Sequence, residues 1–168
     1  MEDLSSGLGD RCRYPAQVKP AFDRLGVMKI SCLTVRVTPR GMGDSIANPD
    51  WHTVKQGIEK LRNTTGMAEV TDESCNNITI SSEEGEYFLV LGFAGTKEFV
   101  LIDDRRPVPD HIEFVEPIDG NTCLKHNTIE DLDAIIMVAK AYYETGEFQD
   151  SAPYLWVDLY SDTTRFDY

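Results

Sequence analysis

Hydrophobic and polar positions along the chain change period several times, and each change marks an element. Residues 1–27 show little periodicity and carry Gly7, Gly9, Pro15, Pro20 and Gly26, which predicts an N-terminal arm, with Met28 a candidate start of the domain that runs to residue 168. From Met28 the run KISCLTVRV sets Ile30, Cys32, Leu33, Val35 and Val37 in a β-rich pattern that stops at Pro39 and Gly41. Asn48-Pro49-Asp50 then predicts a helix start, with Asn48 as the cap and proline at the first helical position. Trp51, Val54, Ile58 and Leu61 follow at helical spacing, and Asn63 to Gly66 should close this amphipathic helix.

Between Met67 and Val115 the segments MAEVT, NITISS, EYFLVLGF, EFVLID and HIEFV are short and rich in β-branched and aromatic residues. Turn chemistry separates them, so an antiparallel meander is expected. EYFLVLGF is apolar on both faces and predicts the central strand; NITISS alternates and predicts a half-exposed one. Thr128 to Thr145 reads as a second amphipathic helix, opened by Thr128 with Asp131 three residues on and stopped by Gly146. PYLWVDLY predicts a last short strand, followed by the polar tail SDTTRFDY. The fold class is therefore α+β: an antiparallel meander sheet of about five to seven strands with two amphipathic helices packed on it.

Charge narrows the possible partners. The chain has 29 acidic and 16 basic residues in 168, a formal charge of −13. Direct contact with nucleic acid or an anionic membrane surface needs Lys and Arg against phosphate, so neither is expected. A basic protein partner is favoured, because opposite fields speed encounter, although the same charge also serves solubility. Cys12, Cys32, Cys75 and Cys123 are scattered without CxxC or Cys/His spacing and read as reduced thiols. With no basic, apolar leader at the start, a cytoplasmic protein is expected.

Candidate chemistry is sparse. His52, His111 and His126 have no partner at ligand or relay spacing, and no HExxH, GxSxG or Walker loop is present, so no metal, cofactor or catalytic residue is assigned. Neighbouring carboxylates on alternating faces of a strand do not make an acid/base pair across a cleft. The acid does concentrate on the meander, in Glu83, Glu84 and Glu86 at one hairpin, Asp103 and Asp104 at a strand end, and Asp110, Glu113 and Glu116 around the next strand. If these loops open on one edge they form a negative patch, with Tyr87 and Phe114 as apolar anchors. Arg105 and Arg106 are placed to pair with Asp103 and Asp104 and weaken its field.

A helix led by Trp51, a run of strands, a late helix reading AIIMVAKAYYETGEF and the closing PYLWVDL together resemble the immunity protein 1 family of bacterial polymorphic-toxin and contact-dependent inhibition systems. The positions that carry the resemblance are Ala139, Tyr142, Tyr143, Gly146, Trp156 and Asp158, over an element order from Met28 to Leu159. It implies an antitoxin that binds a cognate toxin domain, such as a nuclease or deaminase with a basic substrate groove, and blocks it. The motif residues themselves are expected to be structural, Trp156 as a core anchor. Two other functions are compatible with the residues: a small carboxylate-based hydrolase or nucleotide-modifying enzyme, and an acidic adaptor that regulates a non-toxin protein.

Overall fold

The computed structural model describes residues 29–37, 43–107, 113–118 and 121–160. The expected arm, Met28, Asp110, His111 and the tail from residue 161 lie outside these described residues. In chain order the elements are β1 (Ile30–Arg36), β2 (Asp44–Ala47), α1 (Trp51–Glu59), β3 (Gly66–Asp72), β4 (Asn77–Glu83), β5 (Tyr87–Ala94), β6 (Lys97–Asp103), β7 (Phe114–Ile118), β8 (Asn121–Leu124), α2 (Leu132–Thr145) and β9 (Tyr154–Asp158). Seven strands form one antiparallel sheet in the order β2-β1-β3-β4-β5-β6-β9, with a four-strand meander at its centre, and the fold is α+β with the helices packed on the sheet.

Period-two alternation decides which face the helices cover. Leu33, Val70, Ile78 and Gly92 stand in one cross-strand row, and Val35, Ala68, Ile80 and Val90 in the next. Except for Gly92, both rows belong to the main core, with Val54, Ile58 and Leu61 of α1 and Leu132, Ile135, Ala139 and Tyr142 of α2. Each fully buried aliphatic side chain among them contributes roughly 1.5–3 kcal/mol by leaving water. Gly92 belongs to this packing by what it lacks: a Cβ there would stand 2.6 Å from the Phe148 ring. That ring stacks on Tyr142 with centroids 5.2 Å apart and meets Trp156 at 4.9 Å.

Both helix starts differ from expectation by a few residues, because a carboxylate was available to cap. Asp50, not Asn48, caps α1, its Oδ1 accepting from Thr53 N–H at 2.7 Å. Asn48 instead takes a left-handed backbone (φ 47°) just beyond β2. Asp131, not Thr128, caps α2 and accepts from Ala134 N–H at 3.0 Å. Thr128 is buried and donates to Lys125 O, while Ile129 exchanges two backbone hydrogen bonds with Phe88. The ends are as expected: Asn63 (φ 62°) closes the turns after α1, and Gly146 (φ 73°) closes α2.

The expectations for the meander need two corrections. HIEFV does not extend the main sheet: β7 pairs with β8 in a separate two-stranded sheet that crosses β3, β4 and β5, and β9 takes the free edge of β6. The centre of the sheet is also β4, not β5. Ile78 and Ile80 are fully buried and Ser81 and Ser82 are buried too, whereas Tyr87, Leu89 and Leu91 of β5 are only partly covered. The apolar second face of β5 belongs to a smaller cluster with Val100, Ile102 and Val157. Among the described residues no helix is long and apolar enough to cross a membrane.

Candidate interaction surface at the acidic end of the sheet

Strand polarity gathers the acidic loops. β4 runs into the Glu83–Tyr87 reversal, β5 runs away from it, and β6 runs back to finish at Asp103, so both loops open at one end of the sheet. The Phe88 to Ile129 pairing brings the start of α2 to the same end, and Glu116 N–H donates to Glu83 Oε2 at 3.1 Å, which ties β7 to the reversal. Glu83, Glu84, Glu86, Tyr87, Asp103, Asp104, Glu113 and Glu116 therefore do converge, with Asp110 outside the described residues.

The reversal that carries Glu84 and Glu86 is held from behind. Glu84 (φ 51°) and Gly85 (φ 76°) are successive left-handed residues, and Glu86 N–H closes the turn on Glu83 O at 3.0 Å. The buried Ser82 hydroxyl donates to Thr64 O at 2.8 Å and accepts from Gly85 N–H at 3.0 Å; Thr65 Oγ1 accepts from Glu84 N–H at 3.0 Å. A Cβ on Gly85 would collide with the backbone of Asn63, so only glycine lets the turn seat on the end of α1. Glu84 and Glu86 are both exposed on this seated turn.

Three cations modulate the patch. Arg105 grips Asp103 with two bonds, Nε at 2.9 Å and Nη2 at 2.7 Å, and this holds the Asp103 carboxyl below the usual carboxylate range. Arg106 does not join it as expected: it donates to Thr128 O at 2.9 Å and pairs with Glu130 at 2.9 Å. Lys125 lies over the Tyr87 ring, 4.8 Å from its centroid, and donates to Glu113 at 2.9 Å, which raises its pKa. Phe114, in the same hairpin as Glu113 and Glu116, is 63% exposed. An apolar ring thus stands beside the carboxylates, with Tyr87 partly shielded under Lys125.

The motif residues are distributed through the packing. Trp51 meets Tyr143 at 5.6 Å, and the Tyr143 hydroxyl donates to Pro49 O at 3.2 Å. Trp156 packs on Phe148, and its backbone N–H donates to Asp150 Oδ1 at 2.8 Å. Asp158 Oδ1 accepts from Tyr160 N–H at 3.0 Å. His52 is exposed in the first turn of α1, and His126, whose pKa is lowered by burial and then by Arg106, lies in the turn before Thr128. Among the described residues no group of three or more His, Cys, Asp and Glu could hold a metal ion.

Two polar residues that the sequence did not single out matter most to the architecture. Asp72, 1% exposed at the opposite end of the sheet, accepts from Ser74 N–H at 2.7 Å, Asn76 N–H at 3.0 Å, Asn76 Nδ2 at 3.0 Å and the Tyr142 hydroxyl at 3.3 Å. Burial, then the Asp72 charge, pushes the Tyr142 hydroxyl pKa well up, so it stays a donor. Ser82 is the other. The run DESCNN contains a turn signal that fits the local half of the Asp72 network; nothing in it points to Tyr142, seventy positions away.

No protein-family model, curated protein or solved structure matches this chain.

Proposed function

We propose that this protein is an antitoxin that binds a basic toxin domain of a polymorphic-toxin or contact-dependent system and blocks it with the acidic end of its sheet. The observation that carries the reading is the seated Glu84–Glu86 turn beside the exposed Phe114, with β7 locked to that turn through Glu83. A turn fixed before binding loses little conformational entropy on docking, and an aromatic ring among carboxylates supplies both an anchor and a steering field. The net charge of −13 extends that field beyond contact distance. The purpose assigned to the binding rests on the residues around Tyr142, Tyr143, Gly146 and Trp156 that resemble the immunity protein 1 family.

The test is co-purification with the toxin encoded beside it, followed by the toxin's own activity assay. A one-to-one complex that silences the toxin and associates more slowly as salt rises is the expected result. A toxin that neither binds nor loses activity overturns the antitoxin reading. Unchanged affinity in the Glu84→Lys, Glu86→Lys double variant overturns the surface while leaving the role standing.

A further inference from the structure

One cation at the acidic end sits where two groups of fixed backbone converge. Lys125 Nζ stands over the Tyr87 ring, 4.8 Å from its centroid, and donates to Glu113 Oε2 at 2.9 Å. The backbones that carry the ring and the carboxylate are held without that ammonium. Tyr87 begins β5 opposite Glu83, and the next residue, Phe88, exchanges two backbone hydrogen bonds with Ile129. Glu113 lies across the mouth of the β7–β8 hairpin from Lys125, and its carbonyl accepts the Lys125 backbone N–H at 2.9 Å. An aromatic face and a carboxylate are thus set side by side in advance, as a seat for a cation.

The ammonium itself is weakly committed to the seat. The Lys125 side chain is 34% exposed and that of Glu113 63%, and so open an ion pair is screened and contributes little, so exchanging it for another cation costs little. A guanidinium suits the seat better than the ammonium that fills it. It is planar and lies flat on a tyrosine face, it is more weakly hydrated, and its fork donates two parallel bonds to one carboxylate. Phe114 follows Glu113 directly, is 63% exposed, and offers an apolar contact to whatever flanks such an arginine. We propose that the Tyr87–Glu113 seat receives an arginine side chain of the partner, and that Lys125 fills it in the free protein until the partner displaces it. The assignment rests on the acidic end being the surface the partner meets, and adds which group enters and where.

The test uses the full chain carrying Lys125→Met, which empties the seat but keeps the Lys125 backbone oxygen that Thr128 and Arg106 use. It is titrated at low salt with N-acetylarginine methylamide and with the matching lysine compound, while the Tyr87 ring resonances are followed by NMR. The ring resonances should move at about fivefold lower concentration of the arginine probe than of the lysine probe, and adding Glu113→Gln should remove most of that shift. Ring resonances that stay still, or that respond equally to both probes, overturn the proposal. Against the toxin partner of the proposed function, Lys125→Met should bind about fivefold more tightly than the parent, and Tyr87→Leu on that background should abolish the gain. A toxin that the parent and both variants bind and silence equally overturns the seat and leaves the antitoxin role standing. A toxin that none of them binds overturns the role, and the probe titration then decides the seat by itself.

Discussion

Carboxylates at the two ends of the sheet illustrate what burial does to one functional group. Asp72 is enclosed, and its oxygens accept four hydrogen bonds from the turn that follows β3 and from α2, so its charge is consumed in holding the fold. Glu84 and Glu86 stand in water on a turn that other residues hold in place. The fold needs the backbone of that turn and not its charge. Acid near Asp72 is therefore a stability feature, and acid at the far end is free to serve encounter with a partner.

The sharpest way to break this contrast is to remove Asp72. Asp72→Ala leaves two backbone N–H groups, the Asn76 amide and the Tyr142 hydroxyl without their acceptor, and should cost about 3–4 kcal/mol in urea unfolding. Gly85→Ala comes next: a left-handed residue gains a Cβ against the Asn63 backbone, for a loss of about 2 kcal/mol, with Glu84 and Glu86 displaced. Tyr142→Phe deletes a single donor to Asp72 and should cost about 1 kcal/mol, read as a lowered denaturation midpoint at unchanged slope.

A pH series sharpens the same comparison at the acidic end. Arg105 depresses the folded-state pKa of Asp103, so this pair's stabilisation is present above the ordinary carboxyl value of 3.8 and is lost as pH falls through the lower, folded value. Arg105→Ala should lower the thermal midpoint only slightly near neutral pH, because Arg105 is well exposed, and the difference from the parent should vanish as pH falls through the folded-state value of Asp103. A difference from the parent that is no larger at neutral pH than in acid would mean the bidentate grip is not maintained in solution.

The difference between what was and was not legible in the chain has the same origin. Local signals worked: the apolar periods of α1 and α2, the turns of the meander and the stop at Gly146 depend on residues close in sequence. Signals that depend on distant partners did not. NITISS alternates because its second face is polar, and nothing in those residues tells that β7 will cross β4 or that Ser81 on that face will be buried. HIEFV has the composition of a sheet strand, yet β9, arriving after α2, takes the place beside β6. At the candidate site, the clustering of acid was visible and the seating of the turn was not, since it depends on Ser82, Thr64, Thr65 and Asn63 meeting across the fold.

The smallest expected effect on stability is also the most direct test of function. In the Glu84→Lys, Glu86→Lys double variant, the unfolding free energy and the association rate with the proposed toxin partner are measured on the same preparation. The expected result is a stability change within about 0.5 kcal/mol and association at least about tenfold slower at low salt, the gap closing as salt is added. A variant that associates as fast as the parent contradicts the claim that this acidic turn is what the partner meets.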